Sequence, residues 1–154
     1  MNRFGEIIGD DRFASGYTTY TDHYGGEVQN TRIVLPLYVG TLLVSAVVDT
    51  AAPWCILNPA IVEQMSPNSM ERVGEDRQNI RGIKYEGDLI RTNIKLHADY
   101  GEDLVIDATI FVPILKFDEV WNLPNFLGLD GFLHRIRFAV DPQSNTFYFG
   151  MIAD

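Results

Sequence analysis

The feature that most constrains this chain is an apolar hairpin pattern that ends in a carboxylate. Apolar residues alternate along residues 33–39, Gly40 and Thr41 provide a turn, and residues 42–48 are almost continuously apolar. Alternation predicts a half-buried strand, whereas an unbroken apolar run predicts a strand buried on both faces. Asp49 therefore emerges where a buried strand ends and a loop of small residues begins. Because an unpaired buried carboxylate is costly, Asp49 is the first candidate for a functional residue.

The composition is that of one globular domain, and it argues against several kinds of partner. The chain has 154 residues, of which 46% are hydrophobic, enough to bury a core of ordinary size. Its 12 Lys and Arg against 21 Asp and Glu give a net charge of −9, which argues against nucleic acid and anionic membranes. No apolar run approaches the roughly 20 residues that span a bilayer, and the first residues lack the apolar core of a signal peptide. We therefore expect a cytoplasmic protein with no nucleic-acid and no membrane partner.

Cysteine and histidine usage indicates neither a disulfide nor a metal site. Cys55 is the only cysteine, so the chain has no intrachain disulfide and no Cys-rich zinc site. It lies in an apolar run without a nearby histidine, which favours a packed core thiol over a nucleophile. The histidines, His23, His97 and His134, are far apart and lack the spacing of metal ligands. We expect no metal.

The first half of the chain predicts an extension followed by one domain. Residues 1–28 are polar and rich in Gly and Tyr, and we predict an irregular extension with one short strand; residues 29–152 form the predicted domain. Asn58 and Pro59 have the N-cap and first-turn preferences of a short helix. Residues 66–79 are polar without a clean period, which predicts a loop.

The second half predicts a series of short strands. Residues 80–96 are β-like, and Gly82 and Gly87 indicate a hairpin with a bend. Residues 104–112 alternate as a strand, and residues 138–149 predict a final hairpin. The chain is therefore predicted to be mostly β.

Two sequence blocks about 80 residues apart are more specific together than either is alone. The first is Val-Val-Asp-Thr-Ala-Ala at residues 47–52, and the second is Asn-Phe-Leu-Gly-Leu-Asp-Gly-Phe-Leu at residues 125–133. Together they resemble the retropepsin-like aspartic proteases, which carry Asp-Thr/Ser-Gly followed by Ala or Ser, and later an apolar-Gly-x-Asp/Asn-x-Leu segment. Residues 82–96 and 107–113 are similar to the flap hairpin of that family and the strands after it. The resemblance spans about residues 29–149 and implies an all-β, retropepsin-like closed barrel with a flap hairpin and one or two short helices.

The resemblance also implies the chemistry of a carboxylate pair. Hydrolysis of a peptide without a metal needs an activated water and a polarised carbonyl, and two carboxylates that share one proton supply both, as is known for aspartic proteases. Since this chain has one Asp-Thr motif, the second carboxylate would be Asp49 of another copy. The implied protein is a homodimeric aspartic endopeptidase that acts on a peptide or protein substrate and needs no cofactor.

By the same resemblance, the neighbours of the catalytic carboxylate and the flap have defined roles. Thr50 would hold the two catalytic loops together across the dimer, and Ala51 and Ala52 would form the floor that faces substrate. Gly82 and Tyr85 would belong to the flap that closes over substrate, with Tyr85 at its tip.

The second block implies a structural turn. Leu127 and Gly128 would lie beneath the active-site loop. Asp130 would accept a structural hydrogen bond and would not act in catalysis.

Departures from the family pattern keep other functions open. Ala51 stands where glycine is expected, Pro53 and Trp54 stand where retroviral members often have acidic residues, and the flap is charged along residues 84–88. One alternative is a pseudoprotease of the same fold and dimer that binds peptides or serves as a scaffold. Another is a β-barrel structural or assembly subunit without a cleft. Outside a catalytic site, Asp49 would cap backbone amides at the strand end.

Overall fold

The computed structural model describes residues 13–21 and 32–152, and these form a mostly β structure. Helical structure within them is limited to helix α1 (Pro59–Glu63) and two 3₁₀ turns, Pro67–Ser69 and Leu133–Arg135. The strands are β1 (Gly16–Thr19), β2 (Val34–Val39), β3 (Leu42–Val48), β4 (Cys55–Ile56), β5 (Met70–Ile80), β6 (Ile83–Leu96), β7 (Tyr100–Gly101), β8 (Leu104–Pro113), β9 (Asn125–Leu127), β10 (Ile136–Asp141) and β11 (Thr146–Met151).

Six of these strands close into a barrel. The strands pair in the order β2, β3, β9, β4, β8 and β6, and β6 pairs back with β2. Alternate side chains of β2 and β6, such as Leu35, Leu37 and Leu96, are fully buried, and they share one apolar cluster with Ala108 and Ile110 of β8. Because side chains of a strand point to its two faces in turn, this alternation fills the barrel interior. The predicted closed barrel with very few helices is confirmed.

A second sheet joins the two ends of the described chain. Its strand order is β10, β11, β1 and β7, and Gly16 of β1 lies opposite Phe149 of β11. The short strand predicted in the N-terminal extension is therefore confirmed, and so is the final hairpin formed by β10 and β11. The proposed domain boundary at residue 28 lies outside the described residues.

The loop predicted for residues 66–79 is wrong, because most of it is strand β5. β5 pairs with β6 along its length, but its side chains are exposed or half-buried apart from Ile80. Its stability comes from the hydrogen-bond ladder and not from burial of an apolar face, so the sequence carries no period-2 signal.

The bend predicted at Gly87 is also absent, since Gly87 lies within the continuous strand β6. A Cβ atom at this position would lie 2.5 Å from the ring of Phe111. Glycine is needed here for close packing against β8 and not for a change of chain direction.

A buried asparagine on β9 connects three elements of the fold. The Asn125 side chain accepts a hydrogen bond from the backbone N–H of Asn58 (2.8 Å) and donates one to the Ser45 carbonyl (3.0 Å). Asn58 in turn caps α1 by accepting from the Ala60 N–H (3.0 Å), as its position before Pro59 predicts. Asn125 therefore connects β9 to β3 and to the start of α1.

Replacement of Asn125 by alanine is expected to destabilise the fold. The variant removes two part-buried hydrogen bonds, so the free energy of unfolding should fall by about 1–3 kcal/mol. Chemical denaturation measures this change, with Asn122→Ala as the control because Asn122 is exposed in the loop before β9. Equal stability of the two variants would show that Asn125 has no such connecting role.

Within the described residues, no helix is both long enough and apolar enough to cross a membrane.

Candidate active site

The two sequence blocks lie side by side in the structure. β3 runs parallel to β9, with Val48 opposite Leu127. The backbone N–H of Asp49 donates to the Leu127 carbonyl (2.9 Å), and the N–H of Leu129 donates to the Ala52 carbonyl (2.8 Å). Residues 49–54, called the active-site loop below, are thus fixed at Asp49 to the end of β9 and at Ala52 to the turn that follows it.

The Asp49 carboxylate is held by its own loop. Its Oδ1 accepts a hydrogen bond from the Ala51 N–H (3.0 Å), and the Asp49 carbonyl accepts from the Ala52 N–H (3.1 Å). This Asx-type turn fixes the direction of a half-buried side chain. Within the described residues Oδ2 has no hydrogen-bond partner, so one carboxylate oxygen remains for a water or a second carboxyl group.

Alanine at position 51 is compatible with the loop conformation. Among the described residues other than glycine, only Arg81 and Asn145 have a positive φ. Ala51 therefore has an ordinary backbone conformation that does not require glycine. Ala51 is exposed, so alanine in place of the expected glycine introduces no backbone strain in this chain.

Gly128 supports the active-site loop through a close backbone approach. A Cβ atom there would lie 2.2 Å from the Trp54 carbonyl oxygen and 2.9 Å from that of Ala52. Only glycine fits at such distances, which agrees with the structural role expected for Leu127 and Gly128.

The role expected for Asp130 is not seen. Its side chain is exposed and makes no hydrogen bond with the described residues. The turn is held by the backbone, since the N–H of Leu133 donates to the Gly128 carbonyl (3.2 Å) and that of His134 to the Leu129 carbonyl (3.0 Å).

The hairpin of β5 and β6 extends over the active-site loop as a flap, here called the flap hairpin. Its tip is the two-residue turn Arg81-Gly82, where φ is 51° and 83°. Two consecutive positive φ values are typical of a type I′ turn, the common two-residue connection of twisted strands. Gly82 therefore lies at the tip. Tyr85 lies three residues along β6, where its ring packs edge-on against Trp121 with centroids 5.3 Å apart, so its expected place at the tip is wrong.

A cavity of about 400 Å³ lies between the active-site loop and the flap tip. It brings together three of the predicted site residues, Asp49, Ala51 and Ala52; Thr50, Gly82 and Tyr85 lie outside its lining. Sequence reasoning missed its polar wall, of which two residues, Gln78 and Asn79, lie at the end of β5 in the segment predicted as a loop. The residues missed are Arg32, Gln78, Asn79 and Arg81.

Hydrogen bonds to the Asp76 carboxylate connect the flap hairpin to the active-site loop. The indole N–H of Trp54 donates to Asp76 Oδ2 (2.8 Å), and the Gln78 amide donates to the same oxygen (2.6 Å). The backbone N–H of Arg77 donates to Asp76 Oδ1 (2.8 Å). That N–H is the main reason why the pKa of Asp76 lies below its ordinary value; the indole and the amide add to the effect, and partial desolvation opposes it.

Removal of the indole N–H by Trp54→Phe is expected to loosen the flap. Loss of one charge-assisted hydrogen bond should raise hydrogen exchange of the amides at the flap tip about 5–10-fold, equivalent to about 1 kcal/mol. The pKa of Asp76 should rise but remain below its ordinary value of 3.8, because the Arg77 N–H is still present. Amide exchange and a carboxyl titration by NMR measure both effects.

Tyr85→Phe is the matched control for this substitution. It also removes the polar group of an aromatic side chain near the flap, but the Tyr85 hydroxyl has no partner among the described residues. The sign of the pH effect is fixed by the lowered pKa: the Trp54–Asp76 connection is complete above pH 3.8 and is lost as pH falls through the pKa of folded Asp76. Unchanged exchange in Trp54→Phe would contradict this role for Trp54.

Cys55 is confirmed as a core thiol. The side chain is 1% exposed, and burial raises its pKa to about 12. A thiol that stays protonated at physiological pH is not a nucleophile. Across residues 13–21 and 32–152, no group of three or more His, Cys, Asp or Glu side chains is arranged to hold a metal ion.

The closed barrel, the active-site loop and the flap hairpin together define a retropepsin-like fold. A crystal structure of a retropepsin-like aspartic protease from Rickettsia conorii is similar, with a TM-score of 0.51 over 87% of this chain and 90% of that one. Its sequence identity to this chain is 13%, so the likeness shows the fold alone. No protein-family model and no curated protein sequence matches this chain.

Proposed function

We propose that this chain is a homodimeric aspartic endopeptidase in which each subunit contributes one Asp49. One observation carries the proposal: Asp49 stands at the end of a barrel strand, with one oxygen held by its loop, and faces a cavity of about 400 Å³ beneath a flap. The retropepsin-like fold supports the same activity. A single carboxylate cannot both accept and donate a proton in one step, so the second Asp49 must come from a partner copy.

The chemical steps follow from the two carboxyl groups. The ionised Asp49 takes a proton from a water molecule, whose oxygen attacks the carbonyl carbon of the peptide bond. The protonated Asp49 of the partner subunit donates a hydrogen bond to the carbonyl oxygen, which stabilises the developing negative charge. Collapse of the tetrahedral intermediate breaks the C–N bond, and a proton passes to the leaving amine. The Ala51 N–H, bonded to Asp49 Oδ1, keeps the carboxylate oriented through these steps.

The remaining residues of the loop and flap position the reactants. The exposed side chain of Thr50 would meet the partner's loop, and Ala51 and Ala52 would form a floor small enough for a peptide backbone. The flap tip at Gly82 would close over the peptide and exclude water. Tyr85 would act indirectly, by bracing the flap against Trp121.

Hydrolysis of an unfolded protein at mildly acidic pH tests the proposed function. We expect cleavage that a statine-type inhibitor of the pepstatin kind blocks, together with a dimer in sedimentation experiments. A dimer that cleaves no unfolded protein from acidic to neutral pH would contradict the enzyme. A chain that stays monomeric at high concentration would contradict the shared site.

The Trp54–Asp76 connection favours one alternative, a peptide-binding pseudoprotease. A flap tied to the loop of its own subunit opens less readily, which suits stable binding better than repeated turnover. Such a module would bind peptides with equal affinity when Asp49 is replaced by asparagine, and the wild-type protein would release no cleavage products. A structural subunit without a cleft is disfavoured by the cavity above Asp49.

A further inference from the structure

Arginine occupies an unfavourable backbone position at the flap tip. Arg81 has a φ of 51°, in the left-handed region that type I′ turns require. Asparagine, aspartate and glycine are preferred there, and other residues adopt this conformation only at a cost in free energy. A residue kept in such a conformation points to a function of its side chain.

Arg81 differs from the other arginines of residues 13–21 and 32–152 because it has no partner among these residues. Arg72, Arg77 and Arg91 each form ion pairs with carboxylates of the same sheet. Arg135 donates to backbone and hydroxyl oxygens, and Arg137 lies over the ring of Phe13. In a chain with a net charge of −9, an exposed guanidinium without a carboxylate partner in the described part of the chain stands out.

Arg81 lines the same cavity as Asp49. Among the residues that line this cavity, Arg81 and Arg32 are the cations and Asp49 is the one acid; the other polar side chains are the amides of Gln78 and Asn79. The five donors of the Arg81 guanidinium suit bidentate binding of a carboxylate. The polar wall of the cavity therefore attracts an anion next to the reactive carboxylate.

We propose that Arg81 determines substrate specificity by binding the carboxylate of a glutamate or aspartate side chain close to the scissile bond. The cleavage test of this inference rests on the proposed function. The preference in binding does not require that the protein cleaves the peptide. Arg81 is a substrate-binding residue and takes no part in the proton transfers.

Matched peptides that carry either Glu or Gln test this specificity. Cleavage products of an unfolded protein first locate the enriched acidic position, and a pair of peptides differing only there gives the Glu/Gln ratio of kcat/KM. A charge-assisted hydrogen bond is stronger than a neutral one, so we expect a Glu/Gln ratio of about 10 or more for the wild-type protein. The difference should arise mainly from a lower KM for the Glu peptide.

Variants of Arg81 separate charge from backbone conformation. Arg81→Asn keeps a residue that favours the turn but removes the charge, so the ratio should fall to about 1–2. Arg81→Lys should retain part of the preference, and Arg81→Glu should reverse it. Lys84→Asn removes a cation from the same hairpin outside the cavity and should leave the wild-type ratio unchanged.

A binding measurement separates failure of this inference from failure of the proposed enzyme. Two short fluorescent peptide libraries, identical except for Glu or Gln at the fixed position, are titrated against the wild-type protein and against Asp49→Asn. Preferential binding of the Glu library that Arg81→Asn abolishes supports the assignment even without cleavage. Cleavage or binding with no preference for Glu overturns it, as does a preference that persists in Arg81→Asn.

Discussion

Asp49→Asn is expected to abolish peptide hydrolysis, lowering kcat by about 10³-fold or more because both the general base and the shared proton are lost. The asparagine is nearly isosteric, and its amide oxygen still accepts from the Ala51 N–H that now holds Oδ1. The fold and the affinity for peptide should therefore persist. Cleavage of an unfolded protein and thermal unfolding of the same sample measure both properties.

Asp130→Asn is the matched control for Asp49→Asn. It makes the same chemical change at an exposed carboxylate of the neighbouring turn, which has no hydrogen bond within the described residues. Its activity should equal that of the wild-type protein. Residual activity of Asp49→Asn above about a tenth of wild type would place the chemistry elsewhere.

Mixed dimers give a second test of the shared site. When wild-type and Asp49→Asn chains exchange freely in equal amounts, roughly a quarter of the dimers contain two wild-type chains. A site that needs both carboxylates loses activity as the square of the wild-type fraction. A linear loss would instead indicate that each chain is active alone.

Gly128→Ala is expected to displace the active-site loop. The new methyl group would lie 2.2 Å from the Trp54 carbonyl oxygen, a backbone atom that cannot move aside as the end of a flexible side chain can. Gly128 is itself held, since its carbonyl accepts from the Leu133 N–H. Such overpacking should lower the free energy of unfolding by about 3 kcal/mol, or the melting temperature by about 6–12 °C. The rate of peptide cleavage should fall by more than the loss of folded protein explains, since the displaced loop carries Asp49.

Gly74→Ala isolates the effect of the close contact. Gly74 has no atoms within 4 Å of an added Cβ and an ordinary φ, so this variant should change stability by less than about 0.5 kcal/mol. Denaturation midpoints and peptide cleavage compare the two proteins. If Gly128→Ala tolerated the change as well as Gly74→Ala does, the loop would not depend on the turn after β9.

The sequence predicted those parts of the fold in which the pattern of apolar side chains follows their burial. The barrel strands alternate or run apolar because one or both faces are buried, and the segment at Leu127 and Gly128 is fixed by close packing. Strand β5 was missed because its side chains face solvent on most of its length. Hydrogen-bond ladders of this kind leave no pattern in the amino-acid sequence.

The candidate site shows the same division. Asp49, Ala51 and Ala52 follow each other along the chain, so a local motif was enough to place them in one cavity. Arg81 lines that cavity from the flap hairpin. Its place there depends on the pairing of β5 with β6, which single-sequence reasoning did not predict. Sequence reasoning placed Tyr85 at the flap tip because it lies between Gly82 and Gly87. The turn consists of only two residues, Arg81 and Gly82, and Tyr85 lies in strand β6.

The pairing of β1 with β11 has a consequence for the order in which the chain folds during synthesis. Gly16 pairs with Gly101 of β7 as well as with Phe149 of β11, so both edges of β1 are paired only after Phe149 has left the ribosome. Most barrel strands are complete before that moment, because β2, β3, β6 and β8 precede residue 114. Contacts this distant in sequence form slowly. The four-stranded sheet is therefore completed after most of the barrel strands, and until β11 is made only the β7 side of β1 has its partner strand.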